Sequence, residues 1–406
     1  MTVLQVSPKP QKNLSPKAAR RRVTILGSTG SVGCQTIDLI SRAPADYEVV
    51  ALTAHKNATL LIEQARQLNP EFVVIGDESQ YQVVKDALSG TRIKVAAGSQ
   101  AIVEAAQAES DWVMSAIVGA AGLPGTLAAA RRGAMIAFAN KETLVCAGAL
   151  MMKLVAESGA RLLPVDSEHN AIWQVFDFEN RDRIARLLLT ASGGPFRTLS
   201  RQDMAQMTPE QAVKHPIWSM GAKISIDSAT LMNKALEVIE AHFLFHMPAD
   251  KIEVIVHPQS VVHSMVEYED GSVLAQMGTP DMRIPIGYTL AWPDRMATPA
   301  PRLDLAKIAQ LTFETPDPVK FPALRFAREA MLKGGTAPAT LNAANEMAVQ
   351  AFLDHRIGFL DIERVNEATL NGVAVQPLTD LDILLEVDQA ARRFAEAKIQ
   401  TLSDKK

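Results

Sequence analysis

The stretch VTILGSTGSVGCQTIDLI, residues Val23 to Ile40, joins a short apolar run to a glycine-rich turn and then to an apolar-periodic segment. Gly27, Gly30 and Gly33 fall at the turn, where the missing Cβ atoms permit a tight bend and close approach of a pyrophosphate. Backbone N–H groups and the helix dipole would then face the phosphates. It is not a P-loop, because no Lys-Ser or Lys-Thr pair follows the last glycine. The pattern predicts a nucleotide site made by Gly27, Ser28, Thr29, Gly30, Ser31 and Val32.

Short apolar runs alternate with helix-like segments through the first part of the chain, namely RVTILG, YEVVALTA, EFVVIG, TRIKVAA, DWVMSAI, AMIAFAN and RLLPV. This alternation predicts βαβ units and a parallel sheet. A second, α+β region from about Asp166 to Asp294 contains the strand RIARLLLTA, one long helix ATLMNKALEVIEAHFLF, and two strands about the turn YEDGS. The proline-punctuated stretch from Pro293 to Pro322 is expected to be an extended linker, and the remainder is helical in period.

The composition favours a globular protein that handles small molecules. With 406 residues and a formal charge of -4, the chain is too long for one core and lacks the basic excess of a bulk nucleic-acid binder. Two cysteines give no disulfide framework, which suits a reducing compartment. No window approaches the roughly 20 apolar residues that span a bilayer, and no secretory signal is present, so a cytoplasmic protein is expected. The first 22 residues hold six basic residues and no acid, which predicts a disordered tail or an organelle-targeting remnant.

The second apolar run ends in His55, Lys56 and Asn57, where an NAD site would carry an acid for the ribose 2′-hydroxyl, roughly 20 residues beyond the glycines. A cation suits a 2′-phosphate instead, so NADP(H) is the predicted cofactor, with Lys56 as charge partner and Asn57 as hydrogen-bonding neighbour. The alternative is a solvated loop lysine. The residues Asn140 to Glu142 follow a later run, at the edge where open parallel sheets bind ligands, although Lys-Glu there also suits a surface pair that starts a helix.

The segment RLLPVDSEHNAI places two acids after a buried run. In an extended stretch, Asp166 and Glu168 would point the same way, and two close carboxylates repel unless a cation such as Mg²⁺ or Mn²⁺ compensates. Glu237 lies four residues after Asn233 on one helix face and offers a third ligand, while Asn233 and Lys234 are placed for a phosphate. The alternatives are capping acids at a helix start and ordinary acids on an amphipathic face.

Small and apolar residues in loops complete the candidate site. Ser192 ends a strand beside two glycines whose N–H groups are placed for a phosphate, and Ser228 offers a hydroxyl near the long helix, although each also suits a turn or a cap. Trp218 and Met220 in KHPIWSMGAK predict a lid over the substrate, or an apolar cluster beneath a loop. His215 either caps the substrate or is structural. The two histidines of VIVHPQSVVHSMVEY are assigned to sheet packing or a subunit contact, outside the metal site.

Seven blocks together resemble the 1-deoxy-D-xylulose 5-phosphate reductoisomerase family: GSTGSVG, ANKETL, PVDSEHNAIWQ, LLTASGGPF, KHPIWSMGAKISIDSATLMNKALEVIEA, VIVHPQSVVHSMVEYEDGSVLAQMGTPDMR and LNAANEMAV. The likeness extends from about Arg22 to the C-terminal helices. It implies an α/β protein with an N-terminal Rossmann-like NADP-binding domain, an α+β catalytic and dimerisation domain, a C-terminal helical bundle, and a homodimer. The expected segments are a tail over 1–21, the NADPH-binding domain over 22–165, the catalytic domain over 166–294, a linker over 295–322 and the helical domain over 323–406.

The resemblance also implies residue roles. Asp166, Glu168 and Glu237 would hold Mg²⁺ or Mn²⁺, and the catalytic set would be these three with Lys141 and His215. The remaining expected contacts are a phosphate grip of Ser192, Ser228, Asn233 and Lys234, substrate contacts from Ser167, Lys141, Glu142 and His215, a lid of Trp218 and Met220, and cofactor contacts from Asn140 and Glu142. One departure is His55, where the family often has glycine.

The implied reaction is the conversion of 1-deoxy-D-xylulose 5-phosphate to 2-C-methyl-D-erythritol 4-phosphate, in the non-mevalonate route to isoprenoid precursors. In that reaction a divalent ion polarises the substrate carbonyl and the adjacent hydroxyl for a retro-aldol and re-aldol rearrangement, and NADPH then reduces the aldehyde. Two alternatives are an NADP-dependent semialdehyde dehydrogenase, which needs an accessible nucleophilic cysteine, and a non-catalytic NADP-binding regulatory protein.

Overall fold

The computed structural model describes residues 20–218 and 220–404. The tail expected over residues 1–21 therefore lies outside the described residues, apart from Arg20 and Arg21, and Arg21 is already the first residue of a strand. Among the helices in the described part of the chain, none combines the length and the apolar character needed to cross a membrane. The domain boundaries stay predictions.

A seven-stranded sheet forms the N-terminal half in the order β4-β3-β2-β1-β5-β6-β7. Every adjacent pair is parallel, which confirms the prediction from the seven apolar runs. Helices cover both faces, so the central strands are buried on both sides. The elements are β1 (Arg21–Leu26), α1 (Ser31–Arg42), β2 (Tyr47–Ala54), α2 (Ala58–Leu68), β3 (Phe72–Ile75), α3 (Tyr81–Ala87), β4 (Lys94–Ala97), α4 (Ser99–Gln107), β5 (Trp112–Ser115), α5 (Leu123–Arg131), β6 (Met135–Phe138), α6 (Lys141–Ser158) and β7 (Arg161–Pro164).

The strand order reverses at β1, because β2 pairs with one side of it and β5 with the other. Open α/β sheets bind ligands in the crevice at such a reversal, outside the carboxyl ends of the strands. Gly27 stands there with φ 86°, and a Cβ on it would lie 2.8 Å from the carbonyl oxygen of Ala116. A Cβ on Gly33 would lie 2.3 Å from the carbonyl oxygen of Gly27. The tight turn predicted from these glycines is confirmed.

A second sheet of four strands, in the order β11-β10-β8-β9, follows in the chain. β8 and β9 are parallel, whereas β10 is antiparallel to both β8 and β11, so the hairpin predicted about YEDGS is confirmed. Helix α7 packs on β10 and β11, and α11 packs on β9. The elements are α7 (Ser167–Val175), β8 (Ile184–Ala191), α8 (Arg201–Met204), α9 (Pro209–Ala212), α10 (Ala222–Ala229), α11 (Met232–Phe245), β9 (Ile252–Val256), β10 (Val262–Tyr268), β11 (Val273–Met277) and α12 (Arg283–Ala291).

The prediction of one long helix in ATLMNKALEVIEAHFLF was wrong. Helix α10 ends at Ala229, Leu231 adopts a left-handed conformation with φ 58°, and α11 begins at Met232. A left-handed residue cannot continue a right-handed helix, so the chain changes direction between the two helices. Ser228 consequently lies in the last turn of α10, and Asn233 lies in the first turn of α11.

The stretch predicted as an extended linker is anchored to the second sheet and contains one helical turn, α13 (Leu305–Ile308). Glu314 forms an isolated antiparallel bridge with Val256. The ring of His257, which is fully buried, stacks on Phe313 with centroids 4.7 Å apart, so this histidine packs as predicted. The stretch is therefore held against the second sheet at Phe313 and Glu314.

Four helices complete the chain as α14 (Ala323–Lys333), α15 (Ala337–Leu353), α16 (Asp361–Gly372) and α17 (Leu381–Ser403). Gly334 follows α14 with φ 63°, which confirms the predicted stop at the paired glycines. Helix α15 packs against α16, α17 and α6, and α14 packs against α11. The bundle thus supports the helices that carry the candidate site.

Candidate active site

Two of the three predicted metal ligands lie where β7 passes into α7. The sequence argument placed Asp166 and Glu168 in an extended stretch, and this was wrong, because α7 begins at Ser167. Asp166 precedes the helix and Glu168 lies in its first turn. The side chain of Asp166 makes no capping hydrogen bond, so the alternative reading as a helix-capping acid fails as well. One carboxylate oxygen each from Asp166, Glu168 and Glu237 nevertheless lies within 4.8 Å of the other two.

Glu237 reaches this cluster from the second turn of α11 and is only 1% exposed. Its Oε1 accepts a hydrogen bond from Nδ2 of Asn233 at 2.5 Å, as expected for residues four apart on one helix face. Lys141, the first residue of α6, places its Nζ 2.8 Å from Asp166 Oδ2, 3.3 Å from Glu237 Oε1 and 2.6 Å from Asn233 Oδ1. The first sheet and α11 therefore meet through Lys141.

Lys234 lies on the other side of the carboxylates and is almost fully buried. Its Nζ is 2.6 Å from Glu168 Oε1 and also donates to Glu237. Burial opposes the charge on Lys234, but the carboxylates of Glu168 and Glu237 outweigh it and raise the pKa of the lysine. Two ammonium groups thus face three carboxylates, which leaves one negative charge in excess.

Crowding of the carboxylates perturbs their ionisation in opposite directions. Burial and the neighbouring Glu237 raise the pKa of Glu168 above its ordinary value. Burial also opposes the charge of Asp166, but the ammonium of Lys141 more than compensates and lowers the pKa of that carboxyl. Asp166 is therefore held ionised, whereas the negative charge on Glu168 is unfavourable. A cation beside them would stabilise both carboxylates in their charged form. Three carboxylate donors with no nitrogen or sulfur match the preference of Mg²⁺ and Mn²⁺, so the residues present fit such an ion.

A second buried pair lies beneath the cluster and was missed by the sequence reasoning. His169 Nδ1 is 3.2 Å from Glu240 Oε2, and His169 Nε2 is 2.9 Å from the backbone oxygen of Glu237. Burial raises the pKa of Glu240 to about 7. The two residues were visible in the sequence three positions after Asp166 and Glu237, but that spacing alone does not separate a supporting pair from ordinary core residues.

Ser192 and His215 form a polar contact at the opposite wall. The Nε2 of His215 is 2.8 Å from Ser192 Oγ, and its Nδ1 accepts the backbone N–H groups of Ile217 and Trp218. Because Nδ1 is an acceptor, the proton of the neutral ring lies on Nε2 and is donated to the serine. Burial lowers the pKa of His215, so the neutral form is favoured.

The two residues predicted to form a lid line the same cleft. Trp218 is half-buried, and its ring lies 6.2 Å from that of His263 on β10. Met220 is also half-buried and lines the cleft. His263 was assigned to packing from its apolar setting, and it is indeed buried, but it also contributes to the wall of the cleft.

The nucleotide turn opens into this cleft through the first residues of α1, Ser31 and Val32. Ser28 points the other way, because its buried hydroxyl donates to Gln64 Oε1 at 2.7 Å. Lys56 and Asn57 are exposed after β2, at the same sheet edge, and Asn57 Oδ1 caps α2 through the N–H of Leu60.

One cleft of about 220 Å³ brings together most of the predicted residues. From the predicted set it is lined by Ser31, Val32, Lys141, Asp166, Ser167, Glu168, Ser192, His215, Trp218, Met220, Ser228, Asn233, Lys234 and Glu237. Outside its lining are Gly27, Ser28, Thr29, Gly30, Lys56, Asn57, Asn140 and Glu142. Asn140 caps α6 through the N–H of Thr143, and Glu142 faces Lys223. The cleft is also lined by side chains to which the sequence assigned no role in the site, including Gln35, Thr190, Ile224, Leu231, Ser260, Val262, His263 and Met282.

Comparison with known proteins agrees with this geometry. The curated 1-deoxy-D-xylulose 5-phosphate reductoisomerase of Rhodospirillum centenum is 63% identical over 379 residues, covering 93% of this chain and 94% of that protein. The chain belongs to the 1-deoxy-D-xylulose 5-phosphate reductoisomerase family. Family models for this enzyme match residues 23–148, and models for its C-terminal domains match residues 162–245 and 277–394. The reductoisomerase of Zymomonas mobilis is 56% identical over 382 residues, covering 94% of this chain and 98% of that protein.

Solved reductoisomerase structures share the fold. The reductoisomerase from Zymomonas mobilis in complex with NADPH superposes with a TM-score of 0.91 at 54% identity, covering 95% of this chain and all of that one. A second reductoisomerase, in complex with NADPH, fosmidomycin and magnesium, superposes with a TM-score of 0.90 at 42% identity, covering 94% of this chain and 99% of that one.

Proposed function

We propose that the chain converts 1-deoxy-D-xylulose 5-phosphate to 2-C-methyl-D-erythritol 4-phosphate with NADPH and Mg²⁺ or Mn²⁺. The observation that carries the proposal is the single cleft in which a carboxylate cluster, a polar wall and the opening of a nucleotide turn face one another. Solved family members with NADPH and magnesium support the same pair of cofactors. The protein is thereby an oxidoreductase and isomerase of isoprenoid precursor synthesis.

Asp166, Glu168 and Glu237 are the proposed metal ligands, because their oxygens converge and all three line the cleft, whereas His169 and Glu240, which also lie near Asp166, do not line it. When bound, the ion supplies Lewis acidity at the substrate carbonyl and adjacent hydroxyl. Lys141 and Asn233 orient this set, since each contacts Glu237 and they contact each other. The chain's own contribution is thus to hold three carboxylates in place at the cost of their mutual repulsion.

Lys234, Asn233, Ser192 and Ser228 are the proposed phosphate grip. All four line the cleft, and Gly194 beside Ser192 has φ 68°, so the chain turns sharply at that wall. Lys234 donates to Glu168 and Glu237, so its ammonium lies at the carboxylate cluster. A divalent ion at the carboxylates would offset the negative charge that holds this lysine and leave its ammonium available to a phosphate.

His215 and the lid control the rest of the substrate's surroundings. The neutral His215 donates through Nε2, so it offers a hydrogen bond to a substrate oxygen in place of Ser192 Oγ. Trp218 and Met220 supply apolar cover, which excludes water and strengthens the electrostatic contacts beneath it. Ser167 and Lys141 line the floor of the cleft, where we place the reacting end of the substrate.

The cofactor is proposed to lie along the carboxyl edge of the first sheet. Lys56 and Asn57 would contact the 2′-phosphate, because they are exposed at the end of β2 and the N-terminus of α2 offers a favourable dipole. The turn Gly27 to Gly30 would hold the pyrophosphate through its backbone. Ser31 and Val32 would then bring the nicotinamide, which supplies the hydride, to the edge of the metal site.

The two alternatives are not favoured. Neither cysteine lines the cleft: Cys34 is part-buried within α1, and Cys146 is buried within α6 with a pKa raised by burial. A thiol of this kind is a poor nucleophile, which argues against a semialdehyde dehydrogenase. A regulatory protein would not need the complete carboxylate cluster. Both thiols are free, which supports the proposed cytoplasmic location.

We further propose a homodimer that associates through the β11 edge. Val273 and Leu274 on this edge strand are 46% and 49% exposed, and an exposed apolar edge strand normally pairs or is covered. Beside it lies a cavity of about 1130 Å³ whose wall combines aromatic rings with both signs of charge, groups that a self-complementary two-fold interface can pair. Sedimentation of wild type and Leu274→Lys tests this. A dimer that the variant dissociates supports the proposal, and a monomeric wild type refutes it.

The proposed reaction is tested by its product. NADPH and 1-deoxy-D-xylulose 5-phosphate would be incubated with the purified protein and Mg²⁺, with consumption of both followed and the product identified by NMR spectroscopy. We expect equimolar consumption and the branched 2-C-methyl-D-erythritol 4-phosphate. Binding of NADPH without any oxidation would contradict the substrate assignment and favour the regulatory alternative.

A further inference from the structure

An ion-pair group of two buried carboxylates and one partly exposed lysine joins the helix that follows the lid to α6. The lid residues Trp218 and Met220 are followed by Gly221, the residue before α10, and Lys223 is the second residue of that helix. Its Nζ lies 2.9 Å from Asp227 Oδ2 on the next turn and 3.3 Å from Glu142 Oε1 on α6. The three residues therefore connect the helix that follows the lid with the helix that follows β6.

Burial makes this contact more than a surface salt bridge. Glu142 is 6% exposed and Asp227 is 1% exposed, whereas typical exposed pairs contribute little. Burial opposes the charge of Glu142, but the ammonium of Lys223 helps to outweigh it, and the pKa of that carboxyl is lowered. Burial likewise opposes the ammonium of Lys223, yet Asp227 and Glu142 together raise its pKa. Removing the lysine would leave two buried carboxylates without their cation, which would destabilise the local structure.

Helix α10 is also held from the opposite side. Asp227 Oδ1 accepts from Asn345 on α15 at 2.7 Å, and Asn345 in turn accepts from Asn366 on α16 at 3.2 Å. Both asparagines are fully buried within the C-terminal bundle. The orientation of α10 is consequently set by the bundle on one side and by Glu142 on the other, with Lys223 bridging the two.

The position of Glu142 in the chain links this group to the reaction. Glu142 directly follows Lys141, whose Nζ contacts Asp166 and Glu237 in the carboxylate cluster. Two adjacent residues of α6 thus contact different partners, one in the metal site and one below the lid. A shift of α10 relative to α6 would change the placement of the lid over the cleft and the placement of Lys141 within it.

We propose that Lys223 is a positioning residue that fixes the base of the lid to α6 through Glu142 and Asp227. This inference rests on the proposed function, since it concerns the register between the lid and the carboxylate cluster of the same site. The carboxylate of Glu142 then acts through Lys223, outside the lining of the cleft. A misplacement of about 1 Å in such a scaffold costs up to about a hundredfold in rate.

The test is a double-mutant cycle of Lys223→Met and Glu142→Gln, with kcat and the KM for NADPH measured for each. Each single variant should lower kcat ten- to a hundredfold, and the NADPH KM should change less than about threefold. The double variant should be no slower than the slower single variant, because the residues act as one unit. Lys153→Met on the exposed face of α6 is the matched control, since its pair with Glu157 spans 3.9 Å in solvent.

Other outcomes overturn the inference. If the reductions in kcat of the two single variants multiply in the double variant, Lys223 and Glu142 act independently. If kcat stays within twofold of wild type in both single variants, neither residue has a positioning role. An NADPH KM raised tenfold by Glu142→Gln alone would mean that Glu142 contacts the cofactor. If Lys223→Met does not fold, the same measurements on Glu142→Gln decide. Wild-type protein in the same assay separates the two proposals, because its failure to turn over refutes the proposed function itself.

Discussion

Glu237→Gln is the perturbation that most sharply separates a metal site from a structural ion-pair cluster. The substitution keeps the shape and removes one of three carboxylate charges at a 1% exposed position. In the metal-free variant, Lys141 still pairs with Asp166 and Lys234 still pairs with Glu168, so each ammonium group retains a carboxylate partner. The variant is therefore expected to fold.

The substitution should change the affinity for Mg²⁺ far more than the stability of the metal-free fold. One charge-assisted contact is worth about 1.5–3 kcal/mol, so the Kd for Mg²⁺ should rise on the order of 10- to 100-fold. At a concentration 100 times the wild-type Kd, Mg²⁺ stabilises wild type by about 2.7 kcal/mol. A Kd that is 100-fold weaker leaves about 0.4 kcal/mol at the same concentration. Turnover at saturating Mg²⁺ should fall about 10²–10³-fold, as for removal of one preorganised charged group.

The assay is thermal unfolding with and without MgCl₂, together with NADPH oxidation over a Mg²⁺ titration. Glu157→Gln is the control, because that acid is 63% exposed on α6 and remote from the cluster. The control should match wild type in both measurements. The reasoning is refuted if Glu237→Gln keeps both the wild-type stabilisation by Mg²⁺ and turnover within about threefold of wild type.

Three further outcomes are expected. Burial lowers the pKa of His215 below its ordinary value of 6.5, so the unfolded chain binds the extra proton first and stability falls as pH drops below 6.5. Between pH 7.5 and 5.5, the free energy of unfolding measured in urea should fall less in His215→Gln than in wild type, by at most about 1.4 kcal/mol per pH unit. Equal losses in the two proteins would contradict this. Lys56→Glu should raise the NADPH KM about tenfold or more with little change for NADH, whereas equal changes would remove Lys56 from the 2′-phosphate site. Trp218→Ala should lower kcat/KM for the sugar phosphate about tenfold or more with the NADPH KM unchanged, and an unaltered kcat/KM would exclude a lid role.

The fold was largely predictable because its signals are local. Alternating apolar runs and glycines predict a parallel sheet and its nucleotide turn, and both are present, with Gly27 in the left-handed region as the tight turn requires. The break in the long helix was not predictable from periodicity. Leu231 is a good helix former, so its residue type does not predict the left-handed conformation that it adopts.

The candidate site was predictable in its residues and less so in its geometry. Asp166 and Glu168 converge, but through a helix start and not through an extended stretch. The contacts of Lys234 with Glu168 and Glu237 depend on how α7 and α11 pack, which no spacing within either helix reports. Glu142 shows the same limit, because its partner Lys223 is 81 residues away.

His263 and Met282 illustrate what motif reading omits. Both line the cleft, yet one lies in an apolar strand and the other just before α12, where sequence favours packing. Their apolar surroundings in the sequence hide the part that they play in the wall of the cleft. Only the fold places them beside the carboxylates.

The most direct test of the account is NADPH oxidation with 1-deoxy-D-xylulose 5-phosphate before and after chelation. Turnover should disappear when a chelator removes the divalent ion and return when Mg²⁺ or Mn²⁺ is restored, because the three carboxylates alone offer no Lewis acid. Turnover that persists undiminished in excess chelator would contradict the central claim that Asp166, Glu168 and Glu237 form a catalytic metal site.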